Sequence, residues 1–171
     1  MKRPALLVAV MLSAVVTVAL TAVWRPVPRL VWNASASVPV GLYAVRPPGE
    51  LIVGEMVVAI PPEPLASFLA DGHYLPKGLP LIKHVAALPG QHVCRVGFTV
   101  SIDASVSATA RRHDHAGRML PIWRGCHTIV PGEVFLLNAR EPASLDGRYF
   151  GPLPSSSVIG RAVPLWTTDR R

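Results

Sequence analysis

The chain has 171 residues, enough for one ordinary domain and too few for two large ones. Half of them are apolar and 16% are charged, which excludes intrinsic disorder and low-complexity filaments. Four of the 17 basic residues, Lys2, Arg3, Arg25 and Arg29, precede residue 30, and the remaining 13 face 10 acids, too small an excess for a nucleic-acid footprint.

Ala5–Trp24 is a 20-residue stretch without charge, whose only polar members are Ser13, Thr17 and Thr21. As a helix it would run about 30 Å, the thickness of a bilayer's hydrocarbon core. Lys2, Arg3 and the amino terminus precede it, so the start is expected to stay in the cytoplasm. Trp24 and Trp32 fit as aromatic anchors at the outer interface. A cleaved signal peptide is the competing reading, but its apolar core usually runs only about 7–15 residues. The expected organisation is a membrane anchor over residues 1–30 and an exported domain over 31–171.

The rest reads as short strands. Fifteen of the eighteen prolines and all thirteen glycines punctuate it and leave little room for long helices. Gly41–Arg46 and Leu51–Ile60 are strand candidates on either side of Pro47-Pro48-Gly49, and Pro64–Asp71 has helical spacing ending at Gly72. Leu81–Leu88, His92–Val96, Phe98–Ile102, Gly132–Asn138 and Ser157–Trp166 follow as further strands. Residues 103–118, rich in Arg and His, read as a solvated excursion. So many strands with so few helices predict an antiparallel sandwich or barrel.

Cys94 and Cys126 are the only cysteines. In an oxidising compartment two cysteines commonly pair, and each lies in a candidate strand, so a disulfide is expected; two buried thiols are the alternative. The histidines and cysteines show no ligand spacing for a metal.

Three segments carry chemistry. In Asn33-Ala-Ser-Ala-Ser-Val-Pro, Pro39 disfavours helix at Val38, which puts Ser37 at the start of an extended stretch beyond the membrane surface; the alternative is an ordinary turn serine beside a proline. In Leu81–Leu88, strand alternation turns Leu81, Lys83, Val85 and Ala87 to one face. A lysine there either snorkels to water from a sheet edge or is buried, and burial lowers its pKa toward that of a general base. In the third segment Ser144, Asp146 and Arg148 alternate and would share a face of an extended chain; the alternative is a surface turn containing an ordinary ion pair.

Together these segments resemble the serine–lysine signal peptidases, in particular their conjugative-transfer (TraF-type) branch. The likeness rests on the N-terminal span, Ser-Val-Pro-x-Gly-x-Tyr directly after it, the lysine strand ending in Leu88-Pro89-Gly90, and SLDGRYFGP near the C-terminus. Departures are Val38 for a frequent methionine, Gln91 for a frequent acid and Gly147 for a usual serine.

The resemblance implies a mainly β fold, an antiparallel sandwich or barrel preceded by one transmembrane helix. It implies Ser37 as nucleophile, Lys83 as general base and Asp146 as a third essential group, with the hydroxyl and amine about 2.6–3.2 Å apart or somewhat looser. Ser35 would help stabilise the oxyanion, Ser144 would orient the lysine and Arg148 would pair with Asp146. Neither cofactor nor metal is implied. The expected protein is a single-pass enzyme of a bacterial inner membrane with its catalytic domain in the periplasm. Its partners would be a membrane-inserted pilin precursor, processed and in some cases cyclised, or another exported preprotein, together with transfer-apparatus proteins. A general leader peptidase and a non-catalytic envelope component of the transfer apparatus are the alternatives.

Overall fold

The computed structural model describes residues 2–23 and 27–168, with the side chains of the first helix described over 4–20. That helix, α1 (Lys2–Val23), carries the expected transmembrane segment, and its apolar side chains, such as Leu6, Met11 and Val18, lie exposed. Among the described residues no helix is long and apolar enough to cross a membrane. Trp24 at the outer end of the expected span lies outside them, as do Arg25 and the side chains of Lys2, Arg3 and Thr21.

Eleven strands follow: β1 (Leu30–Asn33), β2 (Val40–Arg46), β3 (Met56–Ala59), β4 (Leu81–Ala87), β5 (His92–Val96), β6 (Thr99–Ile102), β7 (Ser105–Thr109), β8 (Gly125–Thr128), β9 (Glu133–Leu137), β10 (Leu153–Pro154) and β11 (Val158–Thr168). Among the described residues two short α-helices, α2 (Leu65–Asp71) and α3 (Gly147–Phe150), and a 3₁₀ turn at Ser155–Ser157 interrupt them. The strands form a seven-stranded sheet in the order β1-β2-β11-β3-β4-β9-β10 and a four-stranded sheet in the order β7-β6-β5-β8, with every pairing antiparallel. The larger sheet ends at β1 and β10, so it does not close into a barrel.

The inner strands are buried on both faces, which explains their nearly unbroken apolar runs. On β9, Val134 and Leu136 join Val57 and Val85 in one cluster, while Phe135 and Leu137 turn the other way. There they pack on Val93, Val100 and Ile129 and fasten the two sheets together. Each such side chain contributes about 1.5–3 kcal/mol by leaving water.

Strand positions differ from the sequence reading at four places, one of them β10, which pairs with β9 where no strand is expected. Leu51–Gly54 is a turn region, and only Met56–Ala59 pairs as β3. Leu30–Asn33 forms β1 against β2, directly before the serine segment. Within the expected solvated excursion, Ser105–Thr109 is β7, and Asp114 and Arg118 are tied to the body of the protein. The Tyr74 hydroxyl and Arg118 Nε each donate to Asp114 Oδ2 at 2.6 Å, and the Arg118 guanidinium lies 4.1 Å over the Tyr74 ring. A disulfide joins Cys94 to Cys126, which face one another across β5 and β8.

Gly41 shows why the motif after Ser37 needs a glycine. A Cβ at this position would collide with the Trp166 carbonyl oxygen and stand 2.7 Å from Thr167 Cα, so any side chain would push β11 off β2. Two residues on, Tyr43 is fully buried and donates from its hydroxyl to the Pro39 carbonyl at 2.6 Å.

Candidate active site

Residues 34–39 form the loop of the β1–β2 hairpin, whose register pairs Asn33 with Gly41. Ser37 lies on a turn within that loop, not in an extended stretch. The cause is Asn33, which is 8% exposed and whose amide donates to the carbonyls of Ser35, Val38 and Pro39 at 2.8, 3.0 and 3.1 Å. An asparagine that draws in the backbone two residues ahead is a recognised turn former. Val38 is buried and pins the loop to the core beside Tyr43.

Lys83 is set by β4. It pairs with Val57 of β3 and shares a face with Val85, so its stem lies against the apolar core and the residue is only 3% exposed. The amine reaches out of that core to donate to Ser144 Oγ at 2.9 Å. Burial pushes its pKa from 10.5 down to about 8; Asp146 and Glu141 oppose the shift, and Arg148 adds to it.

Ser144, Asp146 and Arg148 do not lie on an extended chain. Asp146 caps α3, because its own side chain accepts the Arg148 N–H at 3.2 Å and ends the preceding loop. The same carboxylate accepts from Arg148 Nε and Nη2 at 2.9 and 2.8 Å and from the Asn138 N–H at 3.0 Å. Arg148 Nη2 also donates to the carbonyls of Asn138 and Glu141. Both charges are buried, and together they shape the loop that presents Ser144 to Lys83.

These parts meet in one cleft of about 800 Å³. The β1–β2 loop with Ser35 and Ser37 forms one wall, and β4 from Leu81 to Lys83 forms another. Leu69, Tyr74, Ser144 and Leu145 complete it. Ser37 and Lys83 thus share a cavity, but among the described residues no hydrogen bond joins them. Ser37 Oγ is instead 2.8 Å from Ser35 Oγ, while the lysine is engaged by Ser144. Asp146 lies behind the lysine, held by Arg148, and makes no direct contact with Ser37 among the described residues. No acceptor among the described residues takes the Ser37 backbone N–H, which leaves it free for an oxyanion. Nor do three or more His, Cys, Asp or Glu among the described residues gather into a metal site.

A family model of signal peptidases, peptidase S26, matches residues 3–166. The chain belongs to the S26 signal peptidase family. Conjugal transfer protein TraF of Agrobacterium fabrum strain C58 is 36% identical, over 80% of this chain and 82% of that one. The protein of the same name in Agrobacterium tumefaciens strain 15955 is 35% identical over 93% and 91%. Plasmid transfer protein TraF of Escherichia coli is 28% identical over 79% and 81%. Among solved structures, a signal peptidase I from Enterococcus faecalis aligns at 18% identity and a TM-score of 0.40, over 67% of this chain and 97% of that one.

In this member of the S26 family, two residues that shape the cleft or its support are not legible as such from sequence. Tyr74 follows an ordinary helix stop, and nothing local marks it as a cleft wall tied to Asp114. Asn138 closes β9, accepts the His84 N–H at 3.2 Å and gives its own N–H to Asp146. For Asn33 a signal exists, since Asn-x-Ser directly after a short apolar run is a turn pattern.

Proposed function

We propose that this chain is a serine endopeptidase of a bacterial inner membrane that processes a membrane-inserted pilin precursor for conjugal transfer. The observation that carries the reading is a buried lysine amine, with its pKa lowered to about 8, opening into the same cleft as a serine on a tight turn. S26 membership makes serine-protease chemistry the expectation, and the TraF relatives point to conjugal transfer.

In this reading Ser37 Oγ attacks the scissile carbonyl carbon while its proton passes to neutral Lys83 Nζ. The carbonyl π pair moves onto oxygen, where the Ser37 N–H and Ser35 hydroxyl receive it. Collapse expels the amine, which takes the proton from the Lys83 ammonium, and leaves an acyl-enzyme at Ser37. Water releases a linear product from it, whereas attack by the substrate's own amino terminus closes a ring. In this reading Ser37 Oγ leaves Ser35 and turns toward the lysine across the shared cleft.

The uncharged Ala5–Trp24 stretch, helical up to Val23, supports a single-pass anchor, and the disulfide suits a periplasmic domain. Anchoring would hold the cleft at the bilayer surface, where inserted substrates present their cleavage peptides. Ser37→Ala and Lys83→Ala, each at normal membrane abundance, should accumulate uncut precursor. Normal processing by either variant would overturn the reading. Mass spectrometry of the mature pilin separates the two fates, because a cyclic product is lighter than the linear one by one water.

A further inference from the structure

Asn33 has no role in the chemistry above, yet its side chain has two faces with different work. The amide nitrogen ties down the carbonyls of Ser35, Val38 and Pro39. Oδ1 accepts from the Ser35 N–H at 3.2 Å and from the Ser35 hydroxyl at 2.8 Å. The network fixes this orientation. Turning the amide over would set its oxygen against three carbonyl oxygens and its N–H groups against the Ser35 N–H.

Proton directions follow. A carbonyl oxygen has no proton to give, so Ser35 is the donor in its contact with Asn33. A hydroxyl has one proton, so Ser35 must be the acceptor in its 2.8 Å contact with Ser37. The chain therefore runs from Ser37 to Ser35 to Asn33. In this arrangement the Ser37 proton is given to Ser35 and not to Lys83, and the Ser35 proton is given to Asn33 and not to a substrate.

We propose that Asn33 is a positioning residue that holds the Ser35 hydroxyl, and through it the Ser37 hydroxyl, away from reaction until a substrate carbonyl claims the Ser35 proton. The inference rests on the serine–lysine reading and deepens it. As acylation begins, the Ser35 O–H turns from Asn33 Oδ1 to the carbonyl oxygen of the substrate. Asn33 Oδ1 keeps the Ser35 N–H, so it is not left unpaired. Ser37, released from Ser35, turns to Lys83. Its O–H bond breaks toward Nζ as its Oγ–C bond forms and the carbonyl electron pair becomes the oxyanion. Activation of the nucleophile is thereby coupled to occupancy of the cleft.

The test is a double-mutant cycle on the full chain, with a synthetic peptide carrying Ala-x-Ala before the scissile bond. Asn33→Asp keeps size and acceptor, and its carboxylate grips the Ser35 proton more tightly than an amide oxygen. It loses the N–H groups that hold the Ser35, Val38 and Pro39 carbonyls, a loop effect that acts equally in both Ser35 backgrounds. It should lower kcat by about 10²-fold with KM within about threefold, and by less than about tenfold when Ser35 is already alanine. Equal losses in both backgrounds, or an unchanged kcat, overturn the proposal. Should Asn33→Asp fail to fold, neutron diffraction on the deuterated wild-type protein replaces it. The Ser35 deuterium must then lie on Asn33 Oδ1 and the Ser37 deuterium on Ser35, and a Ser37 deuterium aimed at Lys83 overturns the proposal. Ser37→Ala is run in parallel. Activity in that variant defeats the peptidase reading itself, whereas an inactive Ser37→Ala beside uncoupled Asn33 and Ser35 defeats only the role of Asn33.

Discussion

Lys83 Nζ and Ser144 Oγ, 61 positions apart in sequence, meet at 2.9 Å, and that hydrogen bond decides where the amine points. Only the neutral amine can take a proton, and at a pKa of about 8 roughly a tenth of it is neutral at pH 7. We therefore expect kcat/KM to rise about tenfold per pH unit up to about 8 and then level off. A pH–rate profile checks this, and a flat profile from about pH 6 to 9 would remove Lys83 as the base. The folded pKa lies below the unfolded value of 10.5, so between about 8 and 10.5 the unfolded chain binds more protons at this site. The contribution of Lys83 to stability therefore increases with pH across that window.

Asp146 and Arg148 form a fully desolvated pair, and breaking one half leaves the other charge buried alone. Asp146→Asn should cost about 3–5 kcal/mol of unfolding free energy, measured by denaturant titration. It also removes the negative charge that holds the Lys83 pKa up. In the protein that remains folded, the acid limb of the pH–rate profile should move below its wild-type position. An unmoved limb would mean that Asp146 acts on architecture alone.

Gly147 is set by packing. A Cβ there would stand 2.6 Å from Phe135 Cε2 and 2.7 Å from the Leu136 carbonyl oxygen, and the backbone oxygen cannot swing aside as a flexible side chain would. Gly147→Ser, which restores the residue more usual in the family, should destabilise by about 1–3 kcal/mol and lower Tm by several degrees. A thermal melt equal to wild type would show that β9 can yield.

Tyr74 forms a wall of the cleft, and Asp114 holds its hydroxyl from a distant part of the chain. Its hydrogen bonds, first that from Tyr74 and then those from Arg118, keep the Asp114 carboxyl well below the ordinary range, so it is charged throughout the working pH. Asp114→Asn loosens that wall without touching Ser37 or Lys83. We expect KM for the peptide to rise several-fold with kcat little changed. A fall in kcat at constant KM would place Asp114 in the chemistry instead.

Local pattern makes the sheet legible, because β-branched runs broken by Pro and Gly report strands whatever they pair with. Lys83 is half readable. Alternation with Leu81 and Val85 gives it an apolar face but leaves snorkelling to water open, and the bulge between Val85 and Ala87, which sends Ala87 to the other cluster, carries no local signal. Segments whose structure depends on distant partners are not readable. Ser105–Thr109 looks solvated until β6 is beside it, and Asp114 looks like a surface acid until Tyr74 arrives across 40 positions. Ser144, Asp146 and Arg148 mislead differently. Their alternation suggests an extended chain, but the Asp146 carboxylate turns back onto the Arg148 N–H and starts the helical turn Gly147–Phe150 instead.

The order of the large sheet has one more effect. β2, which follows Ser37, connects to β3 and the lysine strand β4 only through β11, the last strand of the chain. Val38 and Tyr43 on one side and Val58 and Ile82 on the other share a buried cluster with Ala162 of β11, so side-chain packing and the β11 ladder together set the serine loop against the lysine strand. The final strand is therefore a keystone: in the serine–lysine reading, the two halves of the site come into register only around it.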